Sequence, residues 1–249
     1  MTNIKLTIEY EGTKYYGWQR QKGLLSIQGI LEEKISQITQ EKTILNGSGR
    51  TDAGVHALGQ VANFKTNSSI PWVELPLILN RLLPLDIRIK KAEGVDDNFH
   101  ARYSAVSKIY HYYVLNSNLN NNYLPIFLRN YVYCVYKKIN LEEMKKASKF
   151  LQGKHDFTSF ACSSGSRIRN WKRTIKDINI TRKGNIFCFH IEADAFLYKM
   201  VRTIVGTLLE VGKGNINYLE IKKILEAKNR KMAGKTVPAK GLFLMKVNY

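Results

Sequence analysis

Cysteine is scarce in this chain. Its 249 residues hold three, Cys134, Cys162 and Cys188, far apart and in no Cys-x-x-Cys pair. That excludes a disulfide framework and the commonest zinc sites, and leaves reduced, packed thiols. No apolar stretch approaches the ~18 residues of a membrane span. No secretory h-region precedes the first strand-like pattern, so a cytoplasmic location is expected. Short-period repeats and low-complexity linkers are missing too. Acidic residues are few, 20 against 39 basic, for a formal net charge of +19. A chain this cationic is expected to meet a polyanion, nucleic acid before an anionic membrane. The imbalance is uneven: residues 1–104 carry 13 basic and 11 acidic side chains, residues 105–249 carry 26 and 9. Most of the phosphate-contacting surface is therefore expected in the second half.

What is present is an ordinary globular apolar content of 44%, enough for a sizeable core. Ile4, Leu6, Ile8 and Tyr10 alternate with Lys5, Thr7 and Glu9, the period of a half-buried strand. Ser26 is placed to cap a helix whose Ile27, Ile30, Leu31, Ile35 and Ile38 share one face. Strands are expected near 42–48, at 60–64 and from Ile87. Pro71 suits the first turn of a helix through Leu83, with Pro76 expected to kink it. The second half reads similarly. A strand runs from Val106 to Leu115, and Asn140 caps a helix to Leu151. Strands follow at 173–180 and 186–195, then helices at 197–211 and 218–227, and a last strand at 242–247. Residues 116–122 carry loop chemistry. The reading is an α+β chain of two similar split-βαβ halves, ferredoxin-like with antiparallel sheets, divided as 1–104 and 105–249.

The chemistry concentrates in Asn46-Gly47-Ser48-Gly49-Arg50-Thr51-Asp52-Ala53-Gly54-Val55-His56-Ala57. Its glycines suggest tight turns and close approach of a ligand to the backbone. The phosphate-binding P-loop pattern fails here, because Arg50 stands where Lys is needed and Ile44 where Gly is needed. The dinucleotide fingerprint fails at Asp52, and Gly47-Ser48-Gly49 lacks the spacers of a nucleophile elbow. On its residues alone, Asp52 is either an Asx-turn residue or a catalytic carboxylate. His190-Ile191-Glu192 matches the His-x-Glu of zinc deaminases, but no Pro-Cys-x-x-Cys follows, so alternating strand residues are expected there.

Gly49 to Ala57 closely resembles the active-site signature of the tRNA pseudouridine synthase family that modifies the anticodon stem-loop. Five further segments fall in the family's order: Asn98 to Arg102, Lys108 to Tyr112, His155 to Phe160, Phe196 to Arg202, and Pro238 to Leu242. The resemblance spans nearly the whole chain. It implies a pseudouridine synthase fold with a catalytic cleft between the halves. It also implies cofactor-free, metal-free isomerisation of uridines 38, 39 and 40 of tRNA, by a homodimer. In that reaction the N1–C1′ bond breaks, the base turns, and C5 bonds to C1′. Asp52 would be the catalytic residue, attacking C1′ or deprotonating C2′.

The remaining assignments combine the resemblance with residue chemistry. Arg50 is expected to help extrude the target base, which is inaccessible while stacked, and to take its place. Tyr110 is expected to pack on the uracil and to suit proton transfer at C5. Arg202 lies on an apolar helix and needs a partner. The family pairs it with the catalytic Asp, here Asp52. Phe99, His100, Arg102 and Tyr103 read as an RNA-contacting loop, and His56 and Gln60 as lining the RNA channel. Arg167 and Arg169, in a Gly/Ser/Arg-rich stretch, join Lys137, Lys138, Lys145, Lys146, Lys172 and Arg173 as candidates for phosphate contact. The rival reading is a non-catalytic basic RNA-binding or chaperone protein on the same scaffold, or a synthase for other RNA uridines.

Overall fold

The computed structural model describes residues 1–117, 124–162 and 170–249. Two compact units emerge, 1–106 with 243–249, and 107–242. The final strand, expected in the second half, is thus counted with the first.

The first unit begins with β1 (Thr2–Tyr10) and α1 (Ile27–Thr39). The alternation in β1 is realised: Ile4, Leu6, Ile8 and Tyr10 are buried. Ser26 caps α1 by accepting from the Gly29 amide at 3.3 Å, satisfying one of the free donors of the first turn. Ile27, Leu31 and Ile35 are fully buried, each a gain of about 1.5–3 kcal/mol from apolar burial. The strand expected at 42–48 shrinks to β2 (Asn46–Gly47), and β3 (His56–Thr66) is longer than the 60–64 read from the pattern. Pro71 starts a 3₁₀ turn rather than the helix itself. Pro76 falls in the first turn of α2 (Leu75–Leu82), where no amide hydrogen bond is lost, so it opens the helix instead of kinking it. The unit adds β4 (Ile87–Val95). The strand order β4-β1-β3-β2 is antiparallel throughout, as a split βαβ unit requires.

The second unit contains β5 (Ser107–Asn116), β6 (Tyr133–Val135), α3 (Leu141–Lys149), β7 (Gly153–Asp156), β8 (Lys172–Lys183), β9 (Ile186–Ala193), α4 (Met200–Gly212) and α5 (Glu220–Ala227). Asn140 caps α3, accepting from the amides of Glu142 and Glu143. The order β5-β9-β8-β7 is antiparallel, with β6 added parallel on β5. Eleven of the thirteen residues of α4 are buried, which is why its sequence reads as almost continuously apolar. The helix starts at Met200, not Leu197, after Lys199 adopts a left-handed φ of 60°. The last strand, β10 (Leu242–Asn248), runs parallel to β3, with Phe243 opposite His56 and Leu244 opposite Ala57. Of the expected loop 116–122, residues 118–122 lie outside the described residues.

Candidate functional site

Asp52 sits half-buried in the turn between β2 and β3. The turn is held by backbone bonds on both sides. The Trp18 amide donates to the Thr51 carbonyl at 3.1 Å, Val55 to Asp52 at 3.1 Å, and Gly54 to Tyr15 at 3.3 Å. Residues 10–18 lie directly against it. A Cβ on Gly12 would stand 2.0 Å from the Val55 oxygen, and one on Gly17 2.4 Å from the Thr51 oxygen. The buried Tyr10 hydroxyl meets Thr51 Oγ1 at 2.8 Å. Burial pushes its pKa up to about 12, against opposing hydrogen bonds to Thr51 and Gln60, so it stays a neutral prop. Arg50 is exposed beside this turn.

His56 and Gln60 depart from expectation. Expected to line the RNA channel, they are buried in the first unit, 1% and 0% exposed. Gln60 Oε1 accepts from Ser48 Oγ at 2.6 Å and from the Val61 amide at 3.1 Å, while its Nε2 donates to the Gly49 carbonyl at 3.1 Å. It therefore ties the segment entering the turn to β3. His56 Nδ1 accepts from the Gly12 amide at 3.1 Å and lies 3.7 Å from Glu11 Oε1, and its ring stacks on Phe243 at 4.6 Å. Both residues position the turn from behind.

The 96–104 loop divides its residues. Phe99 is half-buried against Tyr249, with ring centroids 4.9 Å apart. His100 and Tyr103 pair at 4.4 Å, and the Arg102 guanidinium lies 5.6 Å from the Tyr103 ring centre. Arg102 and Tyr103 are exposed. Such a set of planes suits stacking with an unstacked base.

In the second unit Tyr110 is buried on β5, opposite Ile191 of β9, its ring edge-on to Phe196 at 5.0 Å. Arg202 is half-buried in the first turn of α4. Its Nε donates to the Val237 carbonyl at 2.8 Å, and the Val237 amide donates to the Arg202 carbonyl at 3.3 Å. The next residue is held as well, because Tyr112 donates to the Pro238 carbonyl at 2.7 Å. The 235–238 segment lies close along α4: a Cβ on Gly206 would stand 1.8 Å from the Lys235 oxygen. A charge inside an apolar helix is thus anchored by a strap of backbone that the sequence pattern does not disclose.

The cationic candidates separate in the same way. Lys137, Lys138 and Lys172 are exposed. Lys145 and Lys146 are engaged by Glu142 and Glu143 at 3.2 and 2.8 Å. Arg173 is half-buried and donates to the carbonyls of Asn170 and Lys172. Arg167 and Arg169 lie outside the described residues. His190 and Glu192 alternate along β9 about the buried Ile191. Among the described residues no group of three or more His, Cys, Asp or Glu could hold a metal ion, and no helix is long and apolar enough to cross a membrane. The three thiols are free and half-buried.

A family model described as tRNA pseudouridine synthase matches residues 6–104 and 147–249. Both the Asp52 turn and Arg202 fall within the matched segments. Full-length relatives align end to end with this chain. The tRNA pseudouridine synthase A of Acetivibrio thermocellus is 49% identical over 249 residues, covering 100% of both chains. That of a Thermoanaerobacter species is 47% identical, and tRNA pseudouridine synthase A 2 of Clostridium perfringens 48%, each again over 100% of both chains. The chain belongs to the tRNA pseudouridine synthase family.

Proposed function

We propose that this protein is an isomerase that converts uridines 38, 39 and 40 of the tRNA anticodon stem-loop to pseudouridine. It acts in the cytoplasm as a homodimer and needs no cofactor. The observation that carries the reading is the half-buried Asp52 in a turn gripped by Gly12, Gly17, Tyr10 and Gln60. A carboxylate so fixed can attack C1′, or take the C2′ proton, without reorganising. Arg50, planar, cationic and exposed, takes the place of the extruded base. Tyr110 offers its ring to the uracil and its hydroxyl to proton transfer at C5. Arg202, whose guanidinium is oriented through Val237, takes the role of partner to the catalytic carboxylate. His100, Arg102 and Tyr103 hold the RNA chain, joined by exposed lysines of the second unit and by Arg167 and Arg169. Three neighbouring targets demand tolerance of RNA placement, which backbone contacts supply better than base-specific ones.

The test is to incubate unmodified tRNA with the protein and map pseudouridine by carbodiimide-dependent reverse-transcription stops. Stops confined to positions 38–40 are expected. Stops elsewhere would make it a synthase for other uridines. Tight tRNA binding without any stop would replace the enzyme with a basic RNA-binding protein.

A further inference from the structure

Two buried amides lie behind the 96–104 loop, and neither is accounted for by the chemistry of Asp52. Asn3 on β1 and Asn63 on β3 are 1% and 3% exposed. Their bonds form one chain with a forced direction. The Ala101 amide can only donate, and it donates to Asn63 Oδ1 at 2.9 Å. Asn63 Nδ2 must then face the other way, where it donates to Asn3 Oδ1 at 2.9 Å and to the Phe99 carbonyl at 3.3 Å. Asn3 Nδ2 in turn donates to the carbonyls of Asp96 and Phe99, both at 2.9 Å. Tyr249 closes the arrangement, its hydroxyl donating to the Ala101 carbonyl at 2.8 Å and its ring covering Phe99. Every one of these loop bonds goes to backbone. The side chains of Arg102 and Tyr103 are left exposed, Tyr103 at 76%.

From this we infer that Asn3 and Asn63 are positioning residues for substrate binding. They lock the backbone at Asp96, Phe99 and Ala101, so that the His100–Tyr103–Arg102 face is preformed for an unstacked nucleotide of the RNA. Two apolar residues would fill the same space but leave the Phe99 and Ala101 groups unpaired, and the loop would then sample other arrangements. A preformed face loses less entropy on binding than a mobile one. The inference rests on the tRNA reading above. It adds that RNA affinity at this loop is set from inside the fold, by residues that never touch RNA.

The experiment compares wild type, Asn63→Ala, Asn3→Ala and the milder Tyr249→Phe, which removes only the hydroxyl bond to Ala101. Steady-state kinetics on unmodified tRNA should show KM raised about tenfold for Asn63→Ala, the worth of one or two buried hydrogen bonds. The kcat should stay within about twofold, because Asp52 is untouched. Exchange of the Ala101 amide proton should accelerate in the same variant. A double-mutant cycle with Tyr103→Ala supplies the discriminating result: the Asn63→Ala penalty should shrink once Tyr103 is gone. An unchanged KM for folded Asn63→Ala and Tyr249→Phe, or full additivity with Tyr103→Ala, would overturn the inference. If wild type converts no tRNA, the enzymatic reading falls by itself. The dissociation constants of the same variants for tRNA then decide the loop's role, with weakening in Asn63→Ala supporting the inference and equality refuting it.

Discussion

Replacing Gly17 by alanine should damage catalysis more than stability. Gly17 has φ +87°, and a Cβ there would stand 2.4 Å from the Thr51 oxygen, 3.0 Å from the Asp52 carbonyl carbon and 3.1 Å from the Ala53 nitrogen. Ordinary contact begins near 3.4 Å, so the backbone that carries Asp52 must retreat by roughly 1 Å. A misplacement of that size costs about 100-fold in rate. The left-handed backbone adds about 1–2 kcal/mol of strain. Gly23 is the control: its φ is +75°, but nothing lies within 4 Å of its would-be Cβ. Gly23→Ala should therefore suffer similar strain without moving the turn. The assay is single-turnover pseudouridine formation on unmodified tRNA, with tRNA binding and urea unfolding measured on the same preparations. Gly17→Ala should lose about two orders of magnitude in rate and keep its affinity for tRNA, while Gly23→Ala keeps both. A Gly17→Ala rate within threefold of wild type, or an equal loss in Gly23→Ala, would refute the view that a rigidly placed Asp52 limits the chemistry.

Other consequences can be measured separately. Gln60→Leu removes the hydrogen bonds at Ser48, Gly49 and Val61 and the one to the Tyr10 hydroxyl. It should cost about 4 kcal/mol in urea unfolding, at about 1 kcal/mol each, and lower the rate without weakening tRNA binding. A stability equal to wild type would contradict the bonding described. Tyr112→Phe deletes the bond to the Pro238 carbonyl, worth about 1 kcal/mol. The melting temperature should drop by roughly 2–4 °C, and an unchanged value would show that the strap beside Arg202 does not depend on it. His111 is held below its ordinary pKa of 6.5 by burial and by the neighbouring His190. The unfolded chain therefore takes up a proton near pH 6.5 that the folded chain still refuses, and stability should fall as the pH drops below about 6.5. His111→Gln should flatten that limb of the profile; an identical slope in the variant would exclude His111 as its source.

Much of the frame was legible because its signals are local. Ser26 and Asn140 cap the helices that their spacing marks, since a cap and its acceptor bond lie within one turn. The alternation of β1 and the continuous apolar run of α4 report one-sided and all-round burial directly. What the pattern missed depends on distant chain. β2 is short, and the beginning of β3 is instead paired by β10, nearly 190 residues later in the chain. Pro76 stands at the second position of α2, where a proline opens a helix, whereas a helix begun at Pro71 would have placed it in the interior, where it breaks one. His56 and Gln60 follow the turn in sequence, and that nearness suggested RNA contact. β3, however, is buried along nearly its whole length, so its polar residues point into the fold. A signal was available there. Gln60 and Asn63 interrupt the apolar Val61, Ala62 and Phe64. A polar group inside a strand covered on both faces must have a bonded task. Nothing local could disclose the Val237 carbonyl that receives Arg202, 35 residues away.

In the proposed reaction the carboxylate of Asp52 carries the isomerisation. The most direct measurement is tritium release from unmodified tRNA labelled at uracil C5 of positions 38 to 40, for wild type and Asp52→Asn, with chelator present. Release by wild type alone, with both proteins binding tRNA equally, is the predicted result. Release by Asp52→Asn at a near-normal rate would contradict the account.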